Sequence, residues 1–141
     1  MLKIEPYLFF DGNCAEVMRF YERALGGTLQ MMTHAQSPTP QQSSPGSADR
    51  ILHACLTVGD QSIMASDTMP GQSYQGIRGV SISLFYDVVA DAKRAFTALS
   101  DGGKVQMPLA ETFWAETFGM LEDRFGTAWM ISAGAKKVAG M

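Results

Sequence analysis

The sequence predicts an α+β fold in which two tandem βαβββ modules form a curved mixed sheet with helices on its outer face. The main observation is an internal repeat: GGTLQM at 26–31 nearly recurs as GGKVQM at 102–107, 76 positions later. At the same offset, LFFDG at 8–12 aligns with LFYDV at 84–88. Each aligned pair encloses a stretch with helical spacing, and strand-forming segments follow it. Two copies with one long period indicate a duplicated module, not a solenoid.

The first module is predicted over residues 4–66. Residues 4–10 are rich in aromatic and β-forming side chains and predict a strand. Asn13 is the expected N-cap of the helix that follows, with Glu16 as its capping-box partner. The helix is predicted over 14–25 and ends at a Gly-Gly pair. The remaining strands are TLQMMTH (28–34), ILHACLTV (51–58) and QSIMAS (61–66).

The second module is predicted over residues 80–132 and repeats this plan. VSISLFY at 80–86 predicts a strand, and the stretch 87–103 predicts a helix with its Gly-Gly stop. The later strands are expected in KVQMPL (104–109), in the hairpin that begins with TFGMLED (117–123), and in FGTAWMIS (125–132). The tail after residue 132 is expected to be loose.

Composition limits the classes of protein that fit. A chain of 141 residues fits one domain, 1–141, because neither module has enough core alone. The proline-rich stretch 35–49 has almost no apolar side chains and predicts a mobile surface loop. A net charge of −3 argues against nucleic-acid binding. No apolar run is long enough to span a membrane, and the N-terminus lacks the features of a signal peptide, so a cytoplasmic location is predicted.

Three segments carry a resemblance to a known family: residues 6–27, 63–71 and 111–131, with the phrases FDGNCAE and ETFWAETFGMLEDRFGTAWMI. They resemble PhnB-like proteins of the vicinal oxygen chelate superfamily, which includes glyoxalase I, extradiol dioxygenases and bleomycin-resistance proteins. The resemblance implies paired βαβββ modules. It also implies a homodimer, since proteins of this superfamily commonly build their clefts from two chains and sheet edges need cover.

The resemblance further implies one divalent metal held by four side chains, usually His and Glu, from the first and last strands of each module. The repeat assigns these positions to Glu5, Met64, Ser81 and Met130. Only Glu5 is a hard ligand, and two thioethers with a hydroxyl do not suit Zn, Mn or Fe(II). No catalytic metal is therefore predicted. No other cofactor is predicted, because the chain has no Gly-rich phosphate loop and no signature for S-adenosylmethionine.

His53 lies in the strand with the clearest alternation. ILHACLTV is expected to place Ile51, His53, Cys55 and Thr57 on one face, and Leu52, Ala54, Leu56 and Val58 on an apolar face under the helices. His53 is then either a hydrogen-bonded structural histidine or a residue that lines the concave face, with general-base chemistry open to it. Glu5 and His53 are the candidate catalytic acid–base pair.

Two further pairs of side chains have open interpretations. Cys14 and Cys55 are too few for a disulfide framework and are expected to be buried thiols. Cys14, at a helix N-terminus, is also considered as a reactive thiol. Glu111 and Glu116 flank Trp114 and are read as a solvated loop edge or, alternatively, as an acid–base pair.

The predicted function is the binding of an apolar or aromatic small molecule in a concave cleft without a catalytic metal, as in bleomycin-resistance proteins. The side chains expected to contact that molecule are Tyr7, Phe9, His53, Met64, Ser81, Trp114, Phe118 and Met130. The alternative is a glyoxalase- or dioxygenase-type lyase or isomerase with a non-standard metal site or an acid–base pair.

Overall fold

The computed structural model describes residues 1–38 and 46–138. Its elements, in chain order, are β1 (Tyr7–Phe10), α1 (Cys14–Leu25), β2 (Thr28–Thr33), β3 (Ile51–Val58), β4 (Gln61–Asp67), β5 (Ser81–Tyr86), α2 (Val89–Ser100), β6 (Lys104–Ala110), β7 (Ala115–Glu122) and β8 (Ala128–Ala135). The chain divides into two compact units, residues 1–76 and 77–141. Each unit contains one βαβββ module, so the predicted fold class is confirmed.

Both units have the same strand topology. The first sheet has the order β1-β4-β3-β2 and the second has the order β5-β8-β7-β6. The β1–β4 and β5–β8 pairs are parallel, and the other pairs are antiparallel. Within the described ranges the strands form two hydrogen-bonded ladders of four rather than one ladder of eight.

In the first unit, α1 buries one face against β2, β3 and β4. The buried side chains of the helix are Cys14, Val17, Met18, Phe20 and Tyr21. They meet the buried sheet residues Leu8, Phe10, Ala54, Leu56, Ile63 and Ala65. Because side chains alternate along a strand, the residues between these buried ones point to the other face of the sheet, on which the element contacts of the described residues place no helix.

In the second unit, α2 covers one face of its sheet in the same way. The buried side chains are Ala92, Ala95, Phe96 and Leu99 of the helix and Leu121, Trp129, Ile131 and Ala133 of the sheet. Gly119 of β7 allows the close approach of the helix, since a Cβ there would lie 2.8 Å from Cε2 of Phe96.

Asn13 occupies the predicted N-cap position of α1 and the helix bounds 14–25 are confirmed, but the predicted capping interaction is wrong. The side chain of Asn13 makes no capping hydrogen bond. Asp67, at the end of β4, supplies the acceptor instead: its Oδ1 accepts from the N–H of Gly12 at 2.8 Å and of Cys14 at 3.0 Å. Its Oδ2 accepts from the N–H of Ile51 at 2.8 Å. A buried carboxylate that accepts three N–H groups satisfies donors that would otherwise be lost at the helix start.

Several strand limits also differ from the prediction. β1 begins at Tyr7 instead of residue 4, and β8 runs over 128–135 instead of 125–132. Residues 125–127 form a turn because Asp123 Oδ1 accepts from the N–H of Phe125 at 2.9 Å and of Thr127 at 3.1 Å. Part of the tail expected to be loose is therefore the end of a strand.

A β-bulge reverses the expected faces at the start of β3. Met32 pairs with His53, but Thr33 pairs with Ile51, so Leu52 is the extra residue. Ile51 is consequently buried, at 4% exposure, and Leu52 is 38% exposed. The prediction is wrong for these two residues and holds for the burial of Ala54 and Leu56.

The predicted mobile loop at 35–49 falls partly outside the described residues. Its two ends are hydrogen-bonded to each other: the N–H of His34 donates to the carbonyl of Arg50 at 3.0 Å, and that of Ala35 to the carbonyl of Ala48 at 3.1 Å. These bonds extend the β2–β3 hairpin beyond its strands. No helix in the described ranges is long and apolar enough to cross a membrane.

Candidate functional site

The face of the first sheet that points away from α1, here called the open face, collects most of the predicted site residues of this unit. The β1–β4 register pairs Tyr7 with Met64 and Phe9 with Ser66. The β3–β4 register pairs Met64 with Cys55, and His53 lies two residues earlier on the same face. Tyr7, Phe9, His53 and Met64 therefore lie together, as the strand alternation predicted.

Tyr7, Phe9 and His53 form a contiguous cluster of rings. The ring centroid of Tyr7 lies 5.2 Å from that of Phe9 and 5.6 Å from that of His53. The Tyr7 hydroxyl is 3.0 Å from Nδ1 of His53, which is hydrogen-bond distance. Tyr7 is 38% exposed and Phe9 is 53% exposed. The cluster thus presents aromatic surface and one polar pair to the outside.

The position of Ser66 shows how this cluster lies on the sheet. Ser66 is only 7% exposed although it is polar and on the open face. It pairs with Phe9, and the β3–β4 register, continued by one residue beyond the Ala54–Ala65 pair, sets it opposite His53. Tyr7 must therefore reach across β4 to meet His53.

The predicted Glu5–His53 pair is not what the structure contains. Within 1–38 and 46–138, no hydrogen bond joins the two side chains, and the partner of the His53 ring is the Tyr7 hydroxyl. Glu5 is half-buried and precedes β1. The sequence placed Tyr7 and His53 on one face, but a diagonal contact across an intervening strand leaves no spacing signal.

In the second unit, Trp114 and Phe118 lie together. Their ring centroids are 5.3 Å apart with an edge-to-face geometry, and Phe113 meets Trp114 in the same way at 4.8 Å. Phe118 is buried, whereas Phe113 is exposed. The β5–β8 register pairs Met130 with Ser83, so Ser81 lies two pairs away along the ladder, opposite Ala128.

The same registers test whether the residues at the inherited positions fit a divalent metal. Met64 lies opposite Tyr7 and Met130 opposite Ser83, so Glu5 and Ser81 are each two residues removed from the thioethers they were paired with. In the observed register the donors are thioether, phenol and hydroxyl groups, and in the register inferred from the repeat the only carboxylate is that of Glu5. No group of three or more His, Cys, Asp or Glu in the described part of the chain could hold a metal ion. This donor set does not fit the His- and carboxylate-rich site that the superfamily implies.

Cys14 is not a reactive thiol. It is fully buried at the start of α1. Burial, with a smaller contribution from the charge of Asp67, raises the pKa of the Cys14 thiol to about 12. A thiol with this pKa stays protonated at neutral pH, and the thiolate is the nucleophile. The structural interpretation of Cys14 is therefore the correct one.

Glu111 and Glu116 do not form an acid–base pair. Glu111 makes an ion pair with Lys136, and the hydrogen bond from Lys136 lowers the pKa of the Glu111 carboxyl. A carboxylate held ionised in this way cannot donate a proton at neutral pH. The Glu116 carboxylate lies over Gly134, where a Cβ would overlap it.

Two contacts near β1 were not foreseen from the sequence. Arg50 Nη1 donates to Asp11 Oδ1 at 2.9 Å and to the carbonyl of Thr68 at 2.8 Å, and the bond lowers the pKa of the Asp11 carboxyl. The Tyr74 hydroxyl donates to the carbonyl of Phe9 at 2.7 Å. Because β1 is an edge strand, Tyr74 occupies a carbonyl that would otherwise be free for another strand. Both contacts join distant segments, which local spacing does not reveal.

Comparisons with known proteins agree with this architecture. The curated protein YjdN of Escherichia coli strain K12 is 35% identical, with 93% of this chain and 95% of YjdN covered. The crystal structure of protein PA1353 from Pseudomonas aeruginosa is 50% identical, has a TM-score of 0.87, and covers 95% of this chain and 98% of that chain.

A second solved structure bears on the resemblance to PhnB-like proteins. It is a Bacillus cereus PhnB protein described as a putative 3-demethylubiquinone-9 3-methyltransferase. It has a TM-score of 0.75 and 22% identity, covering 94% of this chain and 100% of that chain, and this likeness shows the fold. The family model of the glyoxalase/bleomycin resistance protein/dioxygenase superfamily matches residues 3–131. Since that match spans most of the chain and both modules, the chain belongs to the glyoxalase/bleomycin resistance protein/dioxygenase superfamily.

Proposed function

We propose that this protein binds a small apolar or aromatic molecule on the open face of the first sheet, without a divalent metal at the inherited positions. The observation that carries the proposal is the exposed cluster of Tyr7, Phe9 and His53 beside Met64. Exposed aromatic groups that lie together on a rigid sheet are typical of binding surfaces for small molecules. The polarizable thioether of Met64 adds an adaptable apolar contact.

The expected affinity is modest. A two-ring aromatic probe of about 11 heavy atoms that gains roughly 0.5 kcal/mol per atom reaches about 5.5 kcal/mol, which corresponds to a dissociation constant on the order of 100 µM. Such binding is measurable by NMR titration. A natural ligand with more contacts would bind more tightly.

Acid–base catalysis of the lyase or isomerase type is the second candidate function. The observation that favours it is the 3.0 Å contact between the Tyr7 hydroxyl and Nδ1 of His53. Histidine is the most frequent general base in enzymes, and a tyrosine hydroxyl can deliver a proton. In this version Tyr7 replaces Glu5 as the partner of His53.

The binding proposal is tested by titrating protein labelled with ¹³C at the methionine methyl groups with 2-methylnaphthalene. Binding on the open face should shift the methyl signals of Met64 and Met32, which lie on that face. Phe9→Ala should weaken binding roughly fivefold, since it removes an aromatic contact worth about 1 kcal/mol. The matched control is Phe113→Ala, which removes an exposed phenyl ring of the second unit.

The methyl signals of Met64 and Met32, together with the affinities of the two variants, decide whether the binding proposal stands. Loss of affinity in Phe9→Ala and an unchanged affinity in Phe113→Ala would support the open face. Unchanged Met64 and Met32 signals at millimolar probe, or equal affinity in wild type and Phe9→Ala, would reject it.

A further inference from the structure

We infer that the Tyr7–His53 pair recognises a hydroxyl oxygen on the ligand, so that the ligand is a flat aromatic compound with a phenol-type group and not a hydrocarbon. This inference rests on the proposed function, because it concerns the same open face. It adds the chemical class of the molecule and the two atoms that select it: Oη of Tyr7 and Nε2 of His53.

The side chains around the Tyr7–His53 pair determine how a ligand can approach it. The ring centroid of Phe9 lies 5.2 Å from that of Tyr7, and Met64 is the residue paired with Tyr7 in the β1–β4 ladder. The residue paired with His53 on β2 is Met32. The hydroxyl and the imidazole therefore have the apolar side chains of Phe9, Met64 and Met32 around them, with Ser66 as a polar neighbour on β4. A ligand that lies on these neighbours brings part of its edge against the pair.

The contact between the Tyr7 hydroxyl and the His53 imidazole uses only part of their hydrogen-bonding capacity. A tyrosine hydroxyl has one donor and accepting lone pairs, and a neutral imidazole has one donor and one acceptor. The 3.0 Å contact uses one donor and one acceptor, whichever group donates. If Tyr7 donates, Nε2–H of His53 remains as a donor and Oη as an acceptor. If His53 donates through Nδ1, the Tyr7 hydroxyl remains as a donor and Nε2 as an acceptor.

A ligand hydroxyl is complementary to the donor and acceptor that remain on the pair. In both arrangements the pair offers one donor and one acceptor, and a ligand hydroxyl has both capacities as well. A hydrocarbon edge would remove water from the pair and return no hydrogen bond, which costs affinity. Protonation of His53 would leave two donors facing the ligand, and a hydroxyl oxygen can accept from these too. A hydroxyl therefore suits every protonation state of the pair.

Both residues of the pair lie on paired strands, which hold their backbones in place. The backbone of Tyr7 is held by the parallel β1–β4 register, and that of His53, the third residue of β3, by pairing with Met32 of β2. Ser66, which the registers set beside both residues, is only 7% exposed. Groups held in place before binding lose little freedom when a ligand arrives, so the pair can discriminate between a methyl group and a hydroxyl.

The test compares 2-naphthol with 2-methylnaphthalene, two probes of nearly equal shape that differ in a hydroxyl and a methyl group. The wild-type protein should bind 2-naphthol roughly fivefold more tightly, the usual net effect of one hydrogen bond. Tyr7→Phe should abolish this preference and leave the affinity for 2-methylnaphthalene within about twofold. Tyr86→Phe, the same substitution on β5 of the second unit, is the matched control and should keep the preference.

A spectroscopic readout locates the contact. The chain has two histidines, so the ¹⁵N signals of the two imidazole rings are easily assigned. Binding of 2-naphthol should shift the ring nitrogens of His53 and leave those of His34 unchanged, whereas Tyr7→Phe should reduce the His53 shift.

The outcomes separate this inference from the proposed function. Equal affinity for the two probes in wild type, or a preference that survives Tyr7→Phe, would overturn the role of the pair while binding on the open face stands. Failure of both probes to shift the Met64 methyl signal would overturn the two together.

Discussion

The carboxylate of Asp67 accepts a hydrogen bond from the N–H of Cys14 at 3.0 Å and so joins the end of β4 to the first turn of α1. The same carboxylate also binds the N–H groups of Gly12 and Ile51, at 2.8 Å each. Three segments of the first unit thus converge on one buried side chain. The bond to the N–H of Ile51 fixes the first residue of β3, two residues before His53. Asp67 thereby helps to position the strand that carries His53.

Replacing Asp67 by Asn should destabilise the first unit. The substitution exchanges one carboxylate oxygen for an NH₂ group, which cannot accept, and leaves at least one backbone N–H buried without a partner. The expected loss is about 2–3 kcal/mol in the free energy of unfolding, measured by urea denaturation with circular dichroism. Asp60→Asn is the control, because Asp60 is exposed in the β3–β4 turn and should change stability by less than about 0.5 kcal/mol. Equal stability of the two variants would show that the carboxylate is not needed.

The two thiols should differ in reactivity. Cys14 is buried with a pKa of about 12, whereas Cys55 is partly exposed on the open face. In the folded protein an aromatic disulfide reagent should therefore titrate one thiol, and the second should react only in denaturant. Cys55→Ser should abolish the reaction of the folded protein. Rapid modification of Cys14 in that variant would contradict the burial of α1.

The same thiol predicts a loss of stability at alkaline pH. The pKa of Cys14 is raised from an ordinary value of 9.0 to about 12, so between these values the unfolded chain releases a proton that the folded chain keeps. The free energy of unfolding contributed by this group is fully present below pH 9.0 and falls as pH rises, by at most about 1.4 kcal/mol per pH unit. Urea denaturation at pH 8, 9 and 10 measures the slope. Cys14→Ala should have a shallower slope than Cys55→Ala, and equal slopes would contradict the prediction.

A homodimer is the expected oligomeric state. Each four-stranded sheet has two edge strands, β1 and β2 in the first and β5 and β6 in the second. The unpaired backbone groups of an edge strand can pair with a strand of another chain. Sedimentation velocity at micromolar concentration should give a species of twice 15.3 kDa. A single species at 15.3 kDa would count against it.

The sequence predicted the elements whose signals are local. The helix at 14–25 has apolar spacing and a Gly-Gly stop, and β3 begins and ends as predicted because alternation and turn residues define it. The repeat supplied the topology, since both modules obey the same strand order.

The features that were missed depend on contacts between distant segments. The bulge at Leu52 is set by pairing with Met32 and Thr33, so alternation within β3 alone could not reveal it. Asp67 lies 53 positions from Cys14, and the capping interaction has no sequence signature. The Tyr7–His53 contact crosses β4 and spans 46 positions. Apart from Ile51 and Leu52, the sequence thus predicted which side chains of β3 share a face, but not which side chains bind each other.

The central claim, ligand binding on the open face without a metal, is tested most directly by isothermal titration calorimetry with 2-naphthol in a metal chelator and after addition of Zn, Ni or Mn. The two thioethers and the hydroxyl at the inherited positions are poor donors for these ions, and Glu5 alone supplies one hard ligand. The dissociation constant should therefore agree within about twofold in all buffers, on the order of 20 µM, which is about fivefold tighter than the roughly 100 µM expected for 2-methylnaphthalene. Binding that disappears in the chelator and returns with stoichiometric metal would contradict the account and favour a metal-dependent enzyme.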